Sequence, residues 1–181
     1  MSPAVDLPEL DADEAAHGAQ LEARIRAEIE SAGGWISFAH YMAMALYEPG
    51  LGYYSAGARK FGAAGDFITA PEVAPVFSRC LASQCAEVLA ALGGGDVLEL
   101  GAGSGAMAAA MLAELEVLGQ LPGRYRILDV SADLRERQRA AIEAAVPHLL
   151  ERVEWLDRWP SPFTGIVVAN EVLDAMPIER F

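Results

Sequence analysis

The sequence contains few residues of the types that form disulfides or zinc sites. Its 181 residues include two cysteines, Cys80 and Cys85, and three scattered histidines. The cysteines are five positions apart on an expected helix, so they face different sides, and we interpret both as small buried apolar residues. The histidines show no zinc-type spacing. The composition therefore predicts neither a disulfide nor a metal site.

Positive charge is also scarce. The chain has 13 lysines and arginines against 26 acidic residues, which gives a net charge of -13. This balance predicts no nucleic-acid partner and no binding to an anionic membrane surface. No stretch approaches the ~18 uninterrupted apolar residues that a membrane helix requires. A cationic partner is compatible with the charge, although an acidic surface can also serve solubility alone.

The first 16 residues contain five acidic residues and no lysine or arginine. A mitochondrial transit peptide would be rich in arginine and poor in acids, and a secretory signal would begin with a basic segment. We therefore expect a cytoplasmic protein. Residues 1–17 resemble a disordered acidic leader.

A short apolar run and a glycine-rich turn occupy residues 97–105. Residues 97–100 predict a buried strand, and Gly101, Gly103 and Gly105 follow it. Apolar residues at helical spacing come next and end before Gly119, where a helix cap is expected. Glycines allow the backbone to approach a ligand, and a helix N-terminus presents free N–H groups. The pattern predicts a ligand-binding loop.

The remaining pattern alternates helices and strands. We expect early helices around residues 21–29 and 38–46, a long glycine-rich loop over residues 50–66, and a capping box over residues 69–72. A long helix follows, and its expected buried face consists of Phe77, Leu81, Cys85, Val88 and Leu92. The later expected elements are strands at residues 125–130, 153–156 and 165–169 and a helix at 132–145. This order predicts a doubly wound α/β sheet with its ligand site at the carboxyl ends of the strands.

Two acidic residues beside the loop bear on which ligand binds. The glycine pattern fits both a dinucleotide and S-adenosylmethionine. Glu99, just before the loop, would repel a pyrophosphate and attract the ammonium group of a methionine moiety. Asp129, at the end of the second strand, would accept hydrogen bonds from two ribose hydroxyls. Structural roles stay open: Glu99 could pair with an arginine or cap a helix, and Asp129 could cap the helix that follows it.

Five short motifs occur together and in order. They are Tyr41-Met42, Pro-Gly-Leu-Gly-Tyr-Tyr (49–54), Gly-Asp-Phe-Ile-Thr-Ala-Pro-Glu (65–72), Glu-Leu-Gly-Ala-Gly-Ser-Gly (99–105) and Asn-Glu-Val-Leu-Asp-Ala-Met-Pro (170–177). Their combination resembles the MidA family of class I methyltransferases, over about residues 35–181. The resemblance implies a Rossmann-like fold and S-adenosylmethionine as cofactor. We interpret residues 52–67 as a candidate lid over the cofactor, and a plain surface loop is the alternative. The resemblance assigns cofactor binding to Glu99, Gly101, Gly103 and Gly105 on the methionine side, to Asp129 on the ribose, and to Asp66 and Phe67 in the lid.

The resemblance also implies methyl transfer to a protein arginine, with a respiratory complex subunit as one candidate acceptor. Asn170, Glu171 and Asp174 follow the fourth strand and are the expected catalytic residues. Carboxylates accept paired hydrogen bonds from a guanidinium group and can orient its terminal nitrogen. Glu171 and Asp174 would lie on one face at the start of a helix. The alternative is that they only complement the helix dipole.

Class I methyltransferases normally have seven strands, whereas this chain stops after the fourth. The resemblance predicts a half sheet of order 3-2-1-4 whose apolar fourth strand lies at an open edge. We expect an acidic leader (1–17), a helical and lid segment (18–92) and a cofactor-binding half domain (93–181). Such a chain could be inactive alone or pair into a homodimer. A dinucleotide-dependent oxidoreductase and a non-catalytic assembly module are the alternative functions.

Overall fold

The computed structural model describes residues 11–56 and 69–181. The chain divides into two compact units, one formed by residues 1–57 with 176–181 and the other by residues 58–175. The domain boundaries expected at residues 17 and 92 stay a prediction. The candidate lid is described only up to residue 56.

Among its described residues, the first unit contains two helices, α1 (Ala12–Ser31) and α2 (Phe38–Tyr47). Asp11 caps α1 by accepting hydrogen bonds from the next turn, and the Glu14 side chain accepts one from the Asp11 backbone, which completes a capping box. Residues 12–17, expected to be disordered, are therefore helical, because a capping box stabilises a helix start that composition alone does not indicate. Ser37 caps α2 as expected, accepting from the backbone N–H of His40.

The second unit contains four helices and a four-stranded sheet among its described residues. In chain order these are α3 (Ala70–Val73), α4 (Pro75–Leu92), β1 (Asp96–Leu100), α5 (Ala106–Val117), β2 (Tyr125–Leu128), α6 (Ala132–Ala145), β3 (Val153–Leu156) and β4 (Gly165–Ala169). Short 3-10 turns cover Pro147–Arg152 and Leu173–Ala175. All strand pairs are parallel and the order is β3-β2-β1-β4. The predicted Rossmann-like α/β fold and half-sheet order are confirmed.

The core of this unit lies where α4 and α5 pack beside the sheet. The helix α5 carries apolar residues on nearly every face, and its Met111, Leu112 and Leu115 are fully buried. A helix that is apolar all round belongs in an interior, and this burial fixes the glycine turn that precedes α5.

The expected capping box at residues 69–72 does not form. The Thr69 side chain makes no cap hydrogen bond, and the Glu72 carboxylate instead accepts a hydrogen bond from Ser104 in the glycine loop. The backbone is extended at Ala74, directly before Pro75, so α3 and α4 are separate helices. Proline disfavours the helical conformation of the residue before it, which explains this break.

The buried face of α4 differs from the expected one. Ser78, Ala82, Cys85 and Leu89 are its buried residues. Small residues allow close packing on α5, so Phe77, Val88 and Leu92 are exposed, and so is Cys80, which we had expected to be buried. Together with Leu81 and Cys85, the exposed Phe77 and Val88 line a groove of about 350 Å³ beside β4.

Candidate functional site

The glycine loop connects β1 to α5 and has a backbone that glycine favours. Gly101, Gly103 and Gly105 all have positive φ values, of 60°, 55° and 87°. A Cβ atom on Gly105 would lie 2.7 Å from the Cα of Gln138, and one on Gly101 would lie 3.2 Å from a methyl group of Val172. The loop therefore requires glycine for conformation at all three positions and for space at Gly105.

Ser104 links this loop to α3. Its hydroxyl donates to the Glu72 carboxylate and accepts a 3.3 Å hydrogen bond from the backbone N–H of Ala106, the first residue of α5. The sequence pattern indicated neither side of the contact, because the residues are 32 positions apart. The contact holds the segment after residue 68 against the glycine loop.

Glu99 lies inside the core. Its side chain is fully buried, and the Tyr125 hydroxyl donates a 2.7 Å hydrogen bond to Oε2. The Oε1 atom has no hydrogen-bond partner among the described residues. Burial raises the pKa of Glu99 to about 7, the charge of Asp129 also raises it, and the Tyr125 hydrogen bond opposes both effects. Near neutral pH this carboxyl group is therefore close to the midpoint of its titration.

Asp129 directly follows β2 and is nearly buried, with 7% of its surface exposed. Oδ1 accepts a 3.0 Å hydrogen bond from the backbone N–H of Ser131, and Oδ2 accepts a 2.8 Å hydrogen bond from the Gln138 amide. The cap of α6 is Ser131, whose hydroxyl accepts from the N–H of Leu134. Each Asp129 oxygen retains acceptor capacity, because a carboxylate offers about four lone-pair sites.

Gln138 was not indicated by the sequence pattern, yet it connects three parts of the site. It is fully buried on α6, and its Nε2 atom donates to the Gly103 carbonyl at 3.1 Å and to Asp129 at 2.8 Å. Its Oε1 atom accepts a 2.9 Å hydrogen bond from the indole N–H of Trp155 on β3. The only available signal was a glutamine on an otherwise inward-facing helical stripe.

The predicted catalytic residues follow β4. Because Leu100 pairs with Ala169, the glycine loop and Asn170 leave adjacent strands at the same edge of the sheet. Asn170 is half-buried, whereas Glu171 and Asp174 are exposed. Glu171 has a φ of 51°, and only a single 3-10 turn follows it, so the expected helix start does not form here. A left-handed residue cannot continue into a regular helix.

The assignments of Asp66 and Phe67 lie outside the described residues. The roles proposed for Glu99, Asp129, Asn170, Glu171 and Asp174 stay predictions, since the geometry gives their positions only. Within residues 11–56 and 69–181, no group of three or more histidine, cysteine or acidic residues is arranged to hold a metal ion. No helix of this part is long and apolar enough to cross a membrane.

Comparison with known proteins gives consistent matches. A family model described as S-adenosyl-L-methionine-dependent methyltransferase matches residues 80–181. The chain is 31% identical over 174 residues to protein arginine methyltransferase NDUFAF7, mitochondrial, of Danio rerio, which covers 83% of this chain and 41% of that protein. It is 29% identical over 204 residues to the NDUFAF7 homolog of Drosophila melanogaster, which covers 99% of this chain and 46% of that protein.

This chain superimposes on the crystal structure of a Burkholderia thailandensis protein bound to S-adenosyl-homocysteine, with a TM-score of 0.89 and 50% sequence identity. The match covers 95% of this chain and 46% of that one. The chain thus spans less than half the length of these relatives.

The expectation of a cytoplasmic protein is contradicted by the names of the two NDUFAF7 relatives, both of which are mitochondrial. That expectation depended on the acidic composition of the first 16 residues. The acidic composition of these residues does not indicate a cellular location, because Asp11 and Glu14 serve to cap a helix.

Proposed function

This chain belongs to a family of S-adenosyl-L-methionine-dependent methyltransferases, and we propose that its glycine loop binds S-adenosylmethionine for methyl transfer to a protein arginine. The family resemblance found in the sequence is confirmed, and the family's cofactor is the one expected. The observation that carries the proposal is the meeting of the glycine loop and the buried Asp129 at the carboxyl ends of β1 and β2.

The loop fits the methionine side of this cofactor. Positions 101, 103 and 105 of the loop carry no side chain, and Gly105 leads directly into the N-terminus of α5. Two acidic residues lie at the loop: the buried Glu99 comes just before it, and Glu72 contacts Ser104 within it. This environment favours the ammonium group of a methionine moiety over a pyrophosphate.

Asp129 fits the ribose side. Its two oxygens each accept one hydrogen bond from the protein and can accept another from a ribose hydroxyl. Hydrogen bonds to a charged group are typically worth about 1.5–3 kcal/mol. Asp129 is therefore the residue whose replacement should weaken cofactor binding most clearly.

When bound, S-adenosylmethionine supplies a methyl group on a sulfonium that is already activated for transfer to a nitrogen lone pair. The protein then contributes position and exclusion of water. Glu171 and Asp174, exposed beside the loop, would orient a guanidinium group through paired hydrogen bonds. An arginine acceptor is supported by the names of the NDUFAF7 relatives, and the net charge of -13 is compatible with a cationic partner.

Cofactor binding is tested by calorimetric titration with S-adenosylhomocysteine and, separately, with NAD. We expect the first ligand alone to bind, and Asp129→Asn to weaken its affinity about ten- to hundredfold. Asp133→Asn is the matched control, because Asp133 is an exposed residue of α6 paired with Arg137. Binding of NAD alone would instead support an oxidoreductase.

The acceptor is tested by incubating the protein and a cell extract with isotopically methyl-labelled S-adenosylmethionine, followed by mass spectrometry of the labelled peptides. The proposal expects label on arginine and its loss with Glu171→Gln. Label on lysine would keep the methyltransferase and reject the arginine acceptor. A protein that binds the cofactor and labels nothing would favour a non-catalytic assembly module.

A further inference from the structure

We propose that Gln138 is a positioning residue that presents Asp129 and the glycine loop to the ribose of the cofactor, and so determines how strongly the site selects ligands with ribose hydroxyls. This inference rests on the proposed cofactor function. It concerns a residue of α6 that lies nine positions from Asp129 and 35 positions from Gly103 in the chain.

The orientation of the Gln138 amide is fixed by its partners. The indole N–H of Trp155 can only donate, so the atom 2.9 Å from it must be the amide oxygen. The NH₂ group consequently points toward two acceptors, the Gly103 carbonyl and Oδ2 of Asp129. Trp155 is itself held in place, since the Arg139 guanidinium lies 4.3 Å from the centre of its ring.

These contacts constrain Asp129 more than its own chain neighbours could. Oδ1 is tied to the adjacent backbone at Ser131, and Oδ2 is tied to Gln138, so the plane of the carboxylate is fixed at both oxygens. The lone pairs of Asp129 that accept no protein hydrogen bond therefore point in fixed directions. A carboxylate held in this way binds two hydroxyls without first losing rotational freedom.

The same side chain also fixes the loop. The Gly103 carbonyl accepts from Gln138, and Gly105 leaves room for the Gln138 backbone at a position where a Cβ would approach to 2.7 Å. The buried amide of Gln138 therefore connects the glycine loop to Asp129. Removing the amide takes away a donor to the Gly103 carbonyl and leaves the Asp129 carboxylate held only through Oδ1, an effect on binding geometry that a simple packing residue would not have.

The test compares S-adenosylhomocysteine with its 2′,3′-dideoxyribose analogue by calorimetry, using the intact chain. We expect the wild type to prefer the hydroxylated ligand by about a hundredfold or more, the effect of two hydrogen bonds to a charged group. Gln138→Met keeps the length of the side chain and removes its amide. We expect it to weaken S-adenosylhomocysteine about tenfold and the dideoxy analogue by less than about threefold, so that the preference shrinks.

Ile142→Val is the matched control, because Ile142 is fully buried one turn further along α6 and contacts neither acceptor through a polar atom. It should destabilise the fold while leaving the preference for hydroxyls unchanged. Trp155→Phe is the second variant if Gln138→Met does not fold. It removes the donor that fixes the amide, together with part of the ring that faces Arg139, and we expect it to reduce the preference about threefold.

Equal weakening of both ligands by Gln138→Met, with an unchanged preference, would show a structural role and overturn the inference. An unchanged preference in a folded Trp155→Phe, when Gln138→Met does not fold, would also overturn it. A wild type that binds S-adenosylhomocysteine without preferring the hydroxyls rejects the role of Asp129 and Gln138 but keeps the cofactor. A wild type that binds neither ligand rejects the proposed function itself.

Discussion

Replacing Glu99 by glutamine should change how the stability of the protein depends on pH. Glu99 is fully buried, and its pKa rises from an ordinary value of 4.5 to about 7, chiefly because burial penalises the charged form. Each pKa unit is worth about 1.4 kcal/mol, so the rise amounts to about 3 kcal/mol. That is a large part of the stability of an ordinary domain.

The sign follows from proton binding. Between pH 4.5 and about 7 the folded protein holds the Glu99 proton and the unfolded chain has released it. The stabilising effect of the proton is therefore complete below pH 4.5 and is lost as pH rises through about 7. Above that pH, the wild type carries a buried charge that Glu99→Gln lacks.

Urea unfolding of both proteins between pH 5 and 8 measures this effect. We expect the free energy of unfolding of Glu99→Gln to gain about 2.5 kcal/mol on the wild type over this range, added to a constant offset from the buried amide. Glu154→Gln, a half-exposed residue of β3, controls for the loss of any carboxylate. A difference between wild type and Glu99→Gln that does not vary with pH would refute the burial argument.

Two further predictions concern the loop. Gly105→Ala should destabilise the protein by about 3 kcal/mol or more in urea unfolding, because it adds a Cβ clash with Gln138 to an unfavourable φ. Gly119→Ala is the control and should cost only about 1–2 kcal/mol, since nothing lies within 4 Å of its Cβ. Equal costs for the two variants would contradict the clash. In a double-mutant cycle, Ser104→Ala and Glu72→Gln should be non-additive by about 1 kcal/mol, and strict additivity would show that the hydrogen bond between them is not formed in solution.

The strands could be predicted because their signals are local, and their order followed from the family resemblance. Residues 153–156 and 165–169 form strands with the predicted bounds, and the glycine pattern located the turn after β1. The second strand ended earlier than expected, at Leu128, because the chain turns there to place the Asp129 carboxylate on the backbone of Ser131.

The contacts between distant segments could not be predicted. Glu72 had the spacing of a helix cap, but its carboxylate is used by Ser104 across the fold. The buried face of α4 was assigned to large apolar residues, whereas small ones such as Ala82 pack inward and Phe77 faces a groove. Which apolar stripe of a helix is buried depends on its neighbour, and sequence spacing alone does not specify that neighbour.

In the candidate site, too, residues with a local sequence signal could be predicted and contacts between distant segments could not. The sequence indicated Asp129 because acids commonly end the second strand of such folds. It did not indicate Gln138, since a glutamine inside a helix has no characteristic pattern. The environment of Glu99 also depends on tertiary structure, because the partner of its carboxylate, Tyr125, is 26 residues away.

The central claim, that the glycine loop binds the cofactor, is tested most directly by titrating ¹⁵N-labelled protein with S-adenosylhomocysteine and following its backbone amide resonances by NMR. We expect the largest shifts on residues 99–105 and on Asp129, and we expect NAD at equal concentration to leave these resonances unchanged. Shifts confined to other parts of the chain, or caused equally by NAD, would contradict it.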